Sequence, residues 1–146
     1  MTTHISNAVF NQYRKTYRTI SGVIGLYGLC GILTIYLQDD IGLGQWIAMT
    51  LMFVIFPFYA TFALWKGNKF AACISWLYFM SQSIRYVGPD KILPNSYPIS
   101  IVYPITDFSS GFGYFIDFFS VTITLVLSFI LFMSYRAPIK QKKGLN

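Results

Sequence analysis

Gly44-Gln-Trp-Ile-Ala-Met-Thr-Leu-Met-Phe-Val-Ile-Phe-Pro-Phe-Tyr-Ala-Thr-Phe-Ala-Leu-Trp65 runs without a single charged side chain, between an Asp pair at 39–40 and Lys66. As a helix it rises about 33 Å, enough to cross a hydrocarbon core of about 30 Å. Trp46 and Trp65 stand near its two ends, where indoles favour the boundary between apolar chain and water. Three further stretches read the same way: Thr19 to Leu37, Phe70 to Gly88, and Gly113 to Tyr135. Each is closed by polar or helix-breaking residues, respectively Gln38-Asp39-Asp40, Pro89, and Arg136 with Pro138. The expected fold class is therefore all-α: one polytopic domain over residues 1–146 with four transmembrane helices, at about 19–37, 44–65, 70–88 and 113–135.

Composition supports that class. The chain is 55% hydrophobic and only 11% charged, against roughly 25% charged in a soluble domain. Mean hydropathy is +0.53. All five acidic residues are Asp, and there is one His. These counts remove a bis-His haem within one chain, a Glu-built di-iron site and the H-E-x-x-H zinc helix. No metal or cofactor is implied. Cys30 and Cys73 fall at depths about 10 Å apart on different spans, too far for a disulfide, and C-x-x-C is absent.

Charge sets the expected orientation. Arg14, Lys15, Arg18, Lys66, Lys69, Arg136, Lys140, Lys142 and Lys143 all fall on one side of a four-span path. Asp39, Asp40, Asp90 and Asp107 fall on the other, with Lys91. Basic loops face the cytoplasm, so both termini are expected there and the protein in a cell membrane. The net charge of +6 then reports topology and attraction to anionic lipid, not nucleic acid. Residues 1–18 place Ile5, Val9 and Tyr13 four apart, which predicts an amphipathic segment lying on the inner surface.

Four features exceed what packing requires. Gly22, Gly25, Gly28 and Gly31 recur every three residues and form a ridge for close backbone approach. It predicts contact with another helix of this chain, or a seam for a second copy or a flat ligand. Pro57 removes one helical hydrogen bond and predicts a kink near Phe53. Arg85, beside Gln82 in the third span, and Asp117 in the fourth lie at similar depth, so they are expected to pair. Asp117, Ser120, Thr124 and Ser128 continue as one polar stripe. Finally, residues 89–112 contain four prolines yet are rich in Ile, Val and Leu, with Tyr-Pro-Ile at both 97 and 103. A cap folded over the outer mouth is expected.

Three functions fit this sequence. The first is a non-enzymatic accessory or assembly subunit of a membrane complex, its partners being lipids and another membrane protein or a second copy. The second is a binder or translocator of a lipid-like or anionic small molecule, with Arg85, Asp117, Gln82, Asp107 and Tyr103 as ligand or ion-pair candidates. The third is an enzyme using Asp107 or Asp117 as acid or base, with Tyr86 or Tyr103 nearby.

Overall fold

Lys66-Gly67-Asn68 joins two apolar helices and shows why they fold back on each other. The computed structural model describes residues 2–38, 42–87, 97–106 and 112–143, with side chains for 14–38, 42–87, 97–106 and 112–134. Gly67 takes φ 75°, a left-handed conformation open to glycine without penalty. Its N–H donates to the Leu64 carbonyl at 2.8 Å, and the Asn68 N–H donates to Ala63 at 3.0 Å. That is a complete Schellman stop. The Asn68 side chain then accepts from the N–H groups of Phe70 (2.9 Å) and Ala71 (3.4 Å), capping the next helix.

The chain is mostly helical, 74% of it in four helices. They are α1 (Thr2–Tyr36), α2 (Leu43–Trp65), α3 (Lys69–Gln82) and α4 (Phe118–Lys143). Two of them are long and apolar enough to cross a membrane, over Arg14–Tyr36 and Leu43–Trp65. The segment expected to lie apart at residues 1–18 continues α1 without a break.

Three strands correct the all-α expectation: β1 (Ile84–Val87), β2 (Val102–Pro104) and β3 (Gly113–Asp117). The stretches read as the last turn of the third span and the first turn of the fourth are thus extended. They form an antiparallel sheet in the order β1-β3-β2, with Arg85 opposite Phe115 and Tyr103 opposite Ile116. Ile-Arg-Tyr-Val and Gly-Tyr-Phe-Ile-Asp are β-branched and aromatic sequences that suit a pleated surface. Hydropathy alone does not separate such short apolar runs from helix.

Near Phe53, where a kink is expected, α2 makes a π-helical turn over Thr50–Ile55. There the Phe56 N–H donates to Leu51, five residues back. The Met52 carbonyl thereby loses its α-helical donor to Leu51, and its π-helical donor would be Pro57, which has no N–H. The Tyr78 hydroxyl of α3 supplies the missing bond at 2.7 Å. The neighbouring Phe53 carbonyl presses on α1 at Gly31, where any Cβ would overlap it.

The same α1–α2 seam holds Gly25 and Gly28. A Cβ there would meet Thr61 at 3.3 Å and Pro57 at 3.2 Å. Ser21 and Thr61 clasp reciprocally, each hydroxyl donating to the other's carbonyl at 2.8 and 3.2 Å. Gly22 has nothing within 4 Å of such a Cβ. On α4, Ser128 accepts from Trp76 Nε1 at 2.7 Å, turning the polar stripe towards α3. Tyr17 and Ser134 bring α1 and α4 together at 3.4 Å. Cys30 and Cys73 are free thiols, each half-buried.

Thermal unfolding in detergent will rank these contacts. Gly31→Ala is expected to lose about 1–3 kcal/mol by overpacking. Gly22→Ala should be neutral, or gain up to about 1 kcal/mol of helix propensity. Tyr78→Phe should cost about 1–3 kcal/mol, because it orphans the Met52 carbonyl. Equal melting temperatures for Gly31→Ala and Gly22→Ala would refute the seam.

Candidate functional site

Arg85 and Asp117 meet diagonally on the inner face of the sheet. Pairing Arg85 with Phe115 puts Arg85 and Phe115 on one face, and Asp117, two residues on, shares it. The guanidinium Nη2 donates to Asp117 Oδ2 in a buried ion pair. Asp117 is the last residue of β3 and caps α4, a position different from the expected one a full turn inside the helix. Its Oδ1 accepts from the N–H groups of Phe119 (3.1 Å) and Ile101 (3.2 Å). Its Oδ2 also accepts from the Ser120 hydroxyl at 2.8 Å. Two carboxylate oxygens thus receive four donors, drawn from β1, α4 and the segment leading into β2. Donors from the protein itself thus reach both oxygens of the buried carboxylate.

Arg85 is held as closely. Its Nε donates to the Gln82 carbonyl at 3.3 Å, and its guanidinium carbon lies 3.6 Å from the centre of the Tyr97 ring. That distance is a cation–π contact. Burial pushes the Tyr97 phenol above its ordinary pKa, while Arg85 pulls the other way. Tyr97 in turn packs on Phe53 at 5.2 Å, tying the Pro-rich connection to the π turn of α2. Below it, the Tyr27 hydroxyl donates to Gln82 Oε1 at 3.1 Å, and the Tyr27 ring stacks on Phe119 at 5.7 Å. Gln82 Nε2 is buried with no partner among the described residues.

The sequence candidates therefore separate. Arg85, Asp117 and Gln82 come together. Tyr103 does not join them: it faces outward, 63% exposed. Asp107 lies outside the described residues. Of the two Tyr-Pro-Ile repeats, the first enters the site and the second stays on the surface. Tyr97, Tyr27 and Tyr78 were not singled out by the sequence. The repeat was a usable signal for Tyr97, but nothing in the spacing distinguishes which copy turns inward.

On its outward face the sheet shows Ile84, Tyr86, Tyr103 and Tyr114, all exposed. Tyr86 and Tyr114 lie ring to ring at 5.4 Å. The edges follow from the ladder. Asp117 N–H donates to the Ser83 carbonyl at 2.9 Å, so Ser83, Arg85 and Val87 turn their main-chain groups to β3. The main-chain groups of Ile84 and Tyr86 then point the other way, along an edge that no strand among the described residues covers. No group of three or more His, Cys or Asp side chains that could hold a metal occurs among the described residues. No family model, curated protein or solved structure matches this chain.

A double-mutant cycle tests the ion pair. Arg85→Met or Asp117→Leu alone should cost about 3–5 kcal/mol, because each leaves its partner's charge buried. The double variant should recover much of that loss. Additive single effects in denaturation would show that the two side chains are uncoupled.

Proposed function

We propose that this chain is a non-enzymatic, multi-pass membrane protein that acts as an accessory or assembly subunit of a membrane complex. In this reading four segments span the bilayer and both termini face the cytoplasm. The observation that carries it is the apolar outer face of the sheet and its β1 edge, uncovered among the described residues, set against a charge pair already satisfied from within. From the basic turn at Lys66, α3 rises only about 21 Å over its 14 residues. The remaining depth of a roughly 30 Å core is left to β1. Tyr97 on Phe53 and Phe119 on Tyr27 seat the base of the sheet well below the outer ends of α1 and α2.

An open strand edge in lipid leaves N–H and C=O groups without partners, at a cost of several kcal/mol each. The edge at Ile84 and Tyr86 therefore calls for a strand or polar segment from another chain. Pro104 marks β2 as the blunt edge, since it has no N–H to offer. Catalysis has less support in this arrangement: Asp117 already accepts four hydrogen bonds, and the Ser120 hydroxyl beside it is spent as one of those donors.

A second reading, binding of a lipid-like or anionic small molecule, draws on Gln82. Its Nε2, buried with no partner among the described residues, is suited to an acceptor oxygen. Gln82→Met separates the two readings. It should leave subunit assembly intact if the site is structural, and abolish ligand retention if it is a binding floor.

The assembly reading is tested by photo-crosslinking in native membranes. A photoreactive residue at Ile84 or Tyr86 should give one discrete protein adduct, whereas one at Tyr59 on the exposed face of α2 should give lipid adducts only. Lipid adducts alone at all three positions would overturn the reading. Topology is checked with cysteines introduced at Asn95 and Gly144 in a chain lacking the native pair. An impermeant thiol reagent on whole cells should label the first and not the second.

A further inference from the structure

The opposite end of the molecule carries a second feature. Arg14, Lys15 and Arg18 lie on one turn-and-a-half of α1, while Lys66 and Lys69 flank the Schellman turn. Arg18 joins these groups: its guanidinium carbon lies 5.0 Å from the centre of the Trp65 ring, next to Lys66. Its Nε is buried with no partner among the described residues. Lys66 folds its ammonium over Phe62 at 4.1 Å. No carboxylate is described at this end. Asp117 is consumed by Arg85 at the other, and Asp39 and Asp40 follow the far end of α1. α4 also runs towards this end, as the Tyr17–Ser134 contact shows.

Around the cations stand exposed aromatic side chains: Phe62 (61%), Trp65 (53%) and Phe70 (70%). Cations beside outward-facing rings suit the boundary where phosphates meet acyl chains. A soluble acidic partner would have no use for that apolar rim. Resting on the membrane reading above, we propose that Arg14, Arg18, Lys66 and Lys69 form a site for the phosphate of an anionic phospholipid in the adjoining leaflet. Arg18 is the planar donor, fixed by Trp65. The lysines supply charge from the turn, and Phe70 and Trp65 border the acyl chains. A zwitterionic headgroup brings its own cation to an already cationic end, so a net-negative lipid is preferred.

The test is native mass spectrometry of the full chain in detergent, titrated with phosphatidylglycerol or with phosphatidylcholine of the same acyl chains. Phosphatidylglycerol should be retained preferentially, and less so at high salt. Lys66→Gln with Lys69→Gln removes two surface charges. At about 1 kcal/mol per cation, retention should fall about 5-fold for each and about 30-fold together. Arg18→Lys keeps the charge but loses the flat face, and should weaken retention while preserving the melting temperature.

Three results would overturn the proposal. One is equal retention of both lipids. Another is an equal loss from Lys142→Gln with Lys143→Gln, which would mean diffuse charge without a site. The third is displacement by inorganic phosphate as readily as by the lipid, which would make free phosphate the ligand. Partition of the purified chain into water without detergent would instead sink the membrane reading itself.

Discussion

The carboxylate of Asp117 is the constraint on which the outer half of the molecule depends. A charge taken from water must be neutralised and fully hydrogen-bonded, or it destabilises whatever surrounds it. Asp117 meets this condition by drawing donors from separate parts of the chain: Arg85 on β1, Ile101 at the approach to β2, and Phe119 and Ser120 on α4. Because the donors are distant in sequence, satisfying one side chain fixes the geometry of the sheet, the start of α4 and part of the Pro-rich connection. Tyr97 closes the arrangement over Arg85 and passes it to α2 through Phe53.

A second constraint works at the middle of α2, and there the backbone is responsible. Pro57 withholds an N–H, and the π turn before it shifts the donors by one residue. Two carbonyls consequently turn outward from the helix. Met52 finds the Tyr78 hydroxyl on α3, and Phe53 finds the bare backbone of Gly31 on α1. One proline thus organises contacts to both neighbours. Gly25 and Gly28 continue the same close approach, and Ser21 with Thr61 locks it by hydrogen bonds that would be exposed to no competing water in an apolar setting.

These two constraints engage much of the polar chemistry inside the described fold. The charge pair that sequence depth suggested as a ligand floor is engaged by the protein's own donors, while Gln82 Nε2 and Ser75 Oγ are buried with no partner among the described residues. What remains for partners lies on the surface and at opposite ends. One end is an apolar sheet face with an edge that no described strand covers. The other is a basic rim bordered by aromatic rings. The proposed role in assembly draws on these two surfaces.

By itself the sequence determined the four apolar stretches, the asymmetry of charge along them, the disturbance at Pro57 and the partnership of Arg85 with Asp117. All of these follow from quantities carried residue by residue: hydropathy, formal charge, and the missing N–H of proline. Helix was misread as continuing through Ile84–Val87 and starting at Gly113, because strand and helix bury the same apolar residues when a run is short. Only the tertiary structure decided between them, since a strand exists by virtue of a ladder partner and Arg85 finds Phe115 across 30 residues of chain. The inward turn of Tyr97 and the outward turn of Tyr103 were equally hidden. Both stand in the same Tyr-Pro-Ile, and what separates them is that one meets a guanidinium and the Phe53 ring while the other lies exposed on the sheet's outer face.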